Sequence, residues 1–138
     1  MRFEDITEGA QLPELVFPVT ASAIAVAAIA TNDYETVHHD KAAAQAAGVP
    51  DIFMNILTTN GLVQRFVGAW AGPDVLVRKI RIKLGAPNFA GETMRINGAV
   101  SRVDPATGEV EVTVSGRNGM GEHVGATVTL HFPERSAA

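Results

Sequence analysis

The chain has 138 residues, of which 46% are hydrophobic and 19% are charged, so we expect one domain over residues 1–138 with a core of its own. The absence of cysteine excludes disulfides, thiolate metal sites and cysteine nucleophiles, and it agrees with a reducing cytoplasm. The net charge of −4 argues against nucleic-acid binding, and neither the acidic N-terminus nor the short alanine-rich stretch 21–30 has the pattern of a signal peptide or a membrane span.

The first half of the chain predicts one strand followed by three helices. Thr20 and Asp40 are residue types that cap helices, and Gly48 is suited to the position just after one. Gly61 falls inside the longest helical pattern, where glycine costs roughly 1 kcal/mol relative to alanine, so we expect close packing there. The predicted elements are a strand over 12–19 and helices over 21–31, 41–47 and 55–70.

The second half alternates between apolar and polar residues and predicts four successive strands in an antiparallel meander. Turn-rich breaks at 86–91, 104–108 and 118–121 separate these strands. The long apolar helix must cover the buried face of the sheet, because neither element can hide its apolar side alone. The predicted class is therefore α+β, a hot-dog fold in which one curved antiparallel sheet wraps around one long central helix. In the first of these strands we expect Leu76, Ile80, Ile82 and Leu84 to share one face.

A carboxylate and an imidazole lie in the segment between the first two helices. Asp33 follows the first helix and His38 precedes the second, so each helix dipole disfavours the charged form by about 0.3–1 kcal/mol. We expect both groups to be pushed toward neutrality near pH 7, which suits an acid–base pair. By spacing alone, a solvated loop is the commoner explanation for these two residues.

The remaining histidines offer weaker signals. A metal site built from His38, His39 and Asp40 is disfavoured, because adjacent histidines rarely face one ion, and we predict no metal. His39 is expected at the surface. His123 and His131 fall in strand patterns and are expected to be structural or exposed.

The segment from Asn32 to His38, which follows Thr20 and a helix, resembles the signature of the MaoC-like, R-specific enoyl-CoA hydratases. That signature reads Gly-Asp, a variable residue, Asn-Pro, an aliphatic residue and His. Asp33 and His38 fall on the catalytic Asp and His of the family. The resemblance extends to the strand 121–128 and covers nearly the whole chain. The chain departs from the family at Asn32, Glu35 and Thr36, and at Met54-Asn55, where the family has His-Gly.

A narrower resemblance is to the small subunits of actinobacterial steroid side-chain hydratases. It rests on the segments 33–40, 51–53, 55–58, 61–65, 70–73 and 116–118. It implies a heteromer with a second MaoC-like chain, often fused to an OB-fold domain. It also implies an acyl-CoA substrate, a steroid thioester with a shortened side chain, hydrated in sterol catabolism before a retro-aldol cleavage. CoA belongs to the substrate, and no separate cofactor is expected.

The hydration expected from the family assigns a role to each candidate residue. Asp33 and His38 would jointly bind one water, which adds to C3 while a proton reaches C2, and which of the two is the base stays open. Backbone N–H groups at the start of the central helix, near Asn55, would stabilise the thioester oxygen, although Asn55 also fits a plain N-cap. Weaker candidates for binding the CoA phosphates are Lys79, Arg81, Lys83 and Arg117. For the three lysine and arginine residues at 79–83, an edge strand protected by charge or a solvated outer face is the favoured explanation.

Three other functions compete with this one. A homodimeric hydratase for straight-chain enoyl-CoA would share the site and differ in partner and substrate. A non-catalytic hot-dog subunit would support an active partner, but such a chain would be free to lose Asp33 or His38. An acyl-CoA thioesterase would need a carboxylate on the central helix, and residues 55–70 contain neither Asp nor Glu.

Overall fold

Each of the three α-helices begins at a side chain that accepts a hydrogen bond from the helix backbone. Thr20 Oγ1 accepts from the Ala23 amide and Asp40 Oδ1 from the Ala43 amide, both at 3.0 Å. Asn55 Oδ1 caps the third helix in the same way. The computed structural model describes residues 1–133, and its helices are α1 (Ala21–Ala30), α2 (Lys41–Ala46) and α3 (Ile56–Ala71), with short 3-10 helices at Phe3–Asp5 and Thr36–His38.

Five antiparallel strands form one sheet in the order β1-β3-β4-β5-β2. Their inner faces cover α3, whose Val63 and Val67 are fully buried, and the predicted hot-dog fold is confirmed. No helix within residues 1–133 is long and apolar enough to cross a membrane. The strands are β1 (Gln11–Pro18), β2 (Leu76–Leu84), β3 (Thr93–Asp104), β4 (Glu109–Asn118) and β5 (Gly121–His131).

The predicted four-strand meander is wrong in one respect. Strands β3, β4 and β5 do follow one another, but β2 pairs with β5 and not with β3. The segment 86–91 is therefore a crossover and not a hairpin turn. The exchange leaves β2 at an edge of the sheet but gives it β5 as its neighbour, which places the C-terminal end of β2 beside the start of β5.

The face assigned to Leu76 is also wrong, because the register of β2 shifts between Val77 and Lys79. Ile80 and Ile82 are half-buried against the core as predicted, whereas Leu76 is largely exposed. A bulge of this kind turns the residues before it to the opposite face of the sheet, which no alternation pattern can show.

Close packing occurs at a different glycine from the one expected. Nothing lies within 4 Å of the place where a Cβ would stand on Gly61, so that expectation is wrong. At Gly98 on β3, a Cβ would come within 2.9 Å of Phe66 Cε1, and at Gly116 on β4 it would meet Val124 Cγ1 at 2.8 Å. The sheet, and not the helix, supplies the glycine that lets Phe66 approach β3.

Candidate active site

The C-terminal end of α1 determines where Asp33 lies. The Asp33 amide donates to the Ala28 carbonyl at 2.9 Å and the Asn32 amide donates to the Ile29 carbonyl at 3.0 Å, the two bonds of a Schellman turn. Asn32 has a φ of 55°, in the left-handed region that glycine and asparagine tolerate best. Asn32 can therefore stand where the family signature has glycine, and the turn reverses the chain just before Asp33.

The Asp33 carboxylate is held by donors on two sides. Asn55 Nδ2 donates to its Oδ2 at 2.9 Å and also to Thr31 Oγ1 at 3.0 Å, while the Glu35 amide donates to Oδ1 at 3.3 Å. The Asn55 hydrogen bond, joined by that of the Glu35 amide, holds the pKa of Asp33 below its usual range, and partial burial opposes them. The expectation that Asp33 is pushed toward its neutral form is therefore wrong, because these two donors favour the charged carboxylate.

His38 lies at the end of the 3-10 helix and is 7% exposed. Its Nδ1 is 2.7 Å from the Phe53 carbonyl oxygen, and the Phe53 ring packs edge-on against the imidazole with centroids 4.9 Å apart. Because a carbonyl only accepts, Nδ1 must carry the hydrogen in this arrangement. The other nitrogen, Nε2, then faces Asp33 Oδ2 at 3.4 Å.

Asp33 and His38 form one wall of an open cleft of about 380 Å³. The same cleft is lined by Leu84, the last residue of β2, and by the segment 85–87 that follows it. Gly85 is required there, because a Cβ on it would collide with the Glu122 carbonyl oxygen, and its amide donates to the His123 carbonyl at 2.8 Å. Four further residues that line the cleft are Phe53, Met54, Asn55 and Ile56.

His123 also lines this cleft, and the sequence did not identify it as a site residue. It is 3% exposed, with Nδ1 2.7 Å from the Ala86 carbonyl oxygen and Nε2 2.8 Å from Thr59 Oγ1. Burial lowers the pKa of the imidazole, and the hydrogen bond to Ala86 opposes this less strongly. Only the register of β5 brings His123 to the cleft, so no signal within the local sequence could have found it.

The basic residues proposed for CoA do not line the cleft. Lys79, Arg81 and Lys83 are exposed on the face of β2 opposite Ile80 and Ile82, and Arg117 is exposed near the end of β4. Of the four, Lys83 is next to the cleft in sequence, because it immediately precedes Leu84, which lines it. Their binding of CoA stays a prediction.

Asn55 is indeed an N-cap, and its contact with Asp33 is an additional role that was not predicted. His39 is exposed and His131 is half-buried on β5. Within residues 1–133, no three His, Asp or Glu side chains are grouped so as to hold a metal ion.

The chain is similar in sequence to one curated protein of Mycobacterium tuberculosis, the 3-oxo-4,17-pregnadiene-20-carboxyl-CoA hydratase beta subunit. The two are 48% identical over 122 residues, which cover 88% of this chain and 93% of the relative. No protein-family model matches the chain.

Solved structures extend the comparison. The ChsH1–ChsH2 complex of M. tuberculosis contains a chain with 46% identity and a TM-score of 0.89, covering 92% of this chain and 98% of that one. The (R)-hydratase of A. caviae involved in PHA biosynthesis has a TM-score of 0.86 at 16% identity, which shows a shared fold, over 94% of this chain and 99% of that one. With a relative of this similarity over nearly its whole length, the chain belongs to the family of MaoC-like hydratases.

Proposed function

We propose that this chain is a subunit of an enoyl-CoA hydratase in which Asp33 and His38 together bind the water that adds to the double bond. The observation that carries the proposal is the arrangement of Asp33 Oδ2 and His38 Nε2, 3.4 Å apart at the wall of a cleft. With the His38 hydrogen directed at the Phe53 carbonyl, a neutral imidazole and a carboxylate present two acceptors to each other. A water placed at their shared edge can donate one hydrogen to each.

Hydration at this site is balanced without a further reactant. The water oxygen forms a bond to C3 as one of its O–H bonds breaks, and the electron pair of the double bond moves onto the thioester to give an enolate. The Asp33–His38 pair accepts the proton and a proton is returned to C2, so that the pair ends as it began. The low pKa of Asp33 keeps it a carboxylate, which favours an acceptor role for this residue near neutral pH.

The start of α3 supplies donors for the thioester oxygen. The first N–H groups of a helix have no acceptor within the helix, and the helix dipole favours negative charge beside them. Asn55 Oδ1 accepts the amide of Thr58, so the amides of Ile56 and Leu57 are the ones available to an enolate oxygen. Ile56 itself lines the cleft, which puts this end of the helix within reach of a bound thioester.

For the substrate and partner, we propose a steroid side-chain CoA ester and a second MaoC-like chain. The similarity to the mycobacterial beta subunit and to a chain of a two-component complex supports both. The cleft, at about 380 Å³, lies at the small end of the range of roughly 300–1,000 Å³ for ligand pockets. Ile56 and Leu84, which line it, are 51% and 41% exposed, and such an apolar rim suits a partner that completes the binding site.

The test is hydration by the purified complex, followed as loss of the conjugated enoyl-thioester absorbance. Asp33→Asn should lower kcat by roughly 10²–10⁴, the range for acid–base catalysis, while the fold survives. Asp40→Asn is the matched control, because asparagine also caps α2 and Asp40 is exposed. His38→Gln and His39→Gln form a second pair of the same design. Turnover by Asp33→Asn at the wild-type rate would reject the assignment.

The same complex distinguishes the alternatives. Native mass spectrometry of the chain alone and co-expressed with its genomic neighbour separates a homodimer from a heteromer. Comparison of steroid and short linear enoyl-CoAs then separates the substrate classes. If mutation of the partner's acidic residue abolishes activity while Asp33→Asn has no effect, this chain is the non-catalytic subunit.

A further inference from the structure

His123 reaches the cleft through an irregularity in the sheet. Along the β4–β5 ladder, Gly116 pairs with Val124 and Arg117 pairs with Glu122, so His123 is the unpaired residue between them. A bulge of this kind redirects a side chain out of the regular alternation. His123 and Val124 are accordingly both buried although they are adjacent in a strand.

The two nitrogens of His123 have defined roles. The Ala86 carbonyl can only accept, so Nδ1 donates to it across 2.7 Å. In the neutral ring, Nε2 is then an acceptor, and the Thr59 hydroxyl donates to it across 2.8 Å. Thr59 is fully buried, so water cannot replace this bond without a change in structure.

Thr59 lies one turn after Asn55 on α3 and is bonded to it directly. The Thr59 amide donates to the Asn55 carbonyl at 3.2 Å. Asn55 in turn has one side-chain oxygen and one NH₂ group, and both are committed, the first to Thr58 and the second to Thr31 and Asp33. The position of the first turn of α3 is therefore communicated to Asp33 through the Asn55 amide.

The same histidine also holds the segment 85–87, which lines the cleft as well. Its carbonyl accepts from the Gly85 amide at 2.8 Å, and the Ala86 amide donates to the neighbouring Glu122 carbonyl at 2.8 Å. The segment 85–87 is thus attached to the bulge by its backbone and by the imidazole. One residue is therefore bonded both to α3, through Thr59, and to the segment 85–87.

We propose that His123 is a positioning residue, which fixes the first turn of α3 through Thr59 and thereby aligns Asn55 with the Asp33 carboxylate. The inference rests on the proposed function, in that Asp33 is taken to act on the water. His123 does not itself transfer a proton in this scheme, because both of its nitrogens are occupied.

The experiment uses Thr59→Val and Thr59→Ser in the full-length chain, with Thr59→Val/His123→Leu as a further variant. Valine has nearly the shape of threonine but cannot donate to Nε2, whereas serine can. The double variant removes both partners of the bond, so it leaves no unpaired buried nitrogen if Thr59→Val alone does not fold. The first readout is the Asp33 carboxyl titration by carbon-13 NMR, and the second is kcat and KM of the complex on short linear and steroid enoyl-CoAs.

We expect the Asp33 titration to move up toward its ordinary range in Thr59→Val and in the double variant, and to stay at its wild-type position in Thr59→Ser. We expect kcat to fall by roughly 3- to 10-fold, the loss associated with one hydrogen bond, with KM changed by less than about twofold. When Asp33→Asn is already present, Thr59→Val should have no further effect on kcat.

Two results would overturn the proposal. One is an Asp33 titration that is the same in Thr59→Val, in the double variant and in the wild type. The other is an additive effect of Thr59→Val on the Asp33→Asn background, which would indicate a general packing defect. If the wild-type complex hydrates neither class of enoyl-CoA, the proposed function fails, and the carboxyl titration still decides whether His123 positions Asp33.

Discussion

Asp33 and His123 lie at the same cleft, but different kinds of contact hold them. Asp33 is placed by a helix-ending turn within its own segment, where Asn32 adopts the left-handed conformation. His123 is placed by a bulge in β5 and by bonds to Thr59 and Ala86, which are 64 and 37 residues away in the chain. The turn by itself fixes the backbone of Asp33, whereas the contact of its carboxylate with Asn55 and the whole position of His123 depend on distant parts of the chain.

Asn55 connects the two regions, so among residues outside the Asp33–His38 pair its substitution should have the largest effect on activity. Asn55→Ser keeps an oxygen that can cap α3 but removes the amide that donates to Asp33. Loss of a hydrogen bond to a charged group should lower kcat by roughly 10- to 100-fold and raise the pKa of Asp33. Steady-state kinetics and carbon-13 NMR of the carboxyl measure the two effects.

Asn55→Ala is the companion variant, because it removes the cap as well. It should show the same loss of kcat together with a decrease of about 1 kcal/mol in the free energy of unfolding. Equal kcat in Asn55→Ser and wild type would mean that the contact with Asp33 does not matter for turnover.

The local turn can be broken separately at Asn32. Asn32→Ala places an ordinary side chain at a φ of 55°, which should lower the free energy of unfolding by roughly 1–2 kcal/mol. Asn32→Gly should fold with nearly wild-type stability, because glycine adopts this conformation without strain. Urea unfolding of both variants measures the difference, and equal stabilities would show that the turn is not strained.

Gly61 and Gly98 allow a similar comparison between a position with local surroundings and one with distant contacts, with a smaller expected change in the free energy of unfolding. Gly61→Ala should raise the free energy of unfolding by roughly 0.5–1 kcal/mol, because the position is helical, exposed and free of neighbours. Gly98→Ala is the matched substitution in the sheet and should lower stability, since the new Cβ meets Phe66 and the Thr113 carbonyl. Thermal unfolding of the pair checks both signs.

The pH dependence of stability should also distinguish Asp33 from His123, and this is the smallest of the expected effects. Burial lowers the pKa of His123, so the unfolded chain binds a proton that the folded chain does not, and stability falls as pH drops below about 6.5. The lowered pKa of Asp33 adds a separate loss, which begins below about pH 4. His123→Gln should remove the first loss in urea titrations, while His131→Gln should keep it.

Much of the fold followed from the sequence because it depends on local chemistry. Thr20, Asp40 and Asn55 cap the three helices as predicted, and the buried faces of β3, β4 and β5 match the apolar alternation. The partner of β2 and the face of Leu76 were predicted incorrectly, since they depend on which strands meet and where the register slips. Alternation reports the faces within a strand and carries no information about its neighbour.

The candidate site could likewise be predicted from the sequence only where it depends on local contacts. Asp33 and His38 were identified as a pair, and they do lie together, because both belong to one short segment between helices. The ionisation of Asp33 was predicted in the wrong direction, since the dipole of α1 was visible in the sequence and the Asn55 donor was not. His123 was missed for the same reason, as its two partners come from α3 and from the segment after β2.

Gly85 limits which positions can be mutated to change the acyl-group specificity of this protein, because the cleft backbone there has no room for a side chain. Any larger residue there would push the cleft wall away from the Glu122 carbonyl, so mutagenesis libraries should leave this position unvaried. Leu84 and Ile56 border the opening and are both substantially exposed. Variation confined to these two positions would resize the entrance while the backbone that shapes it stays in place.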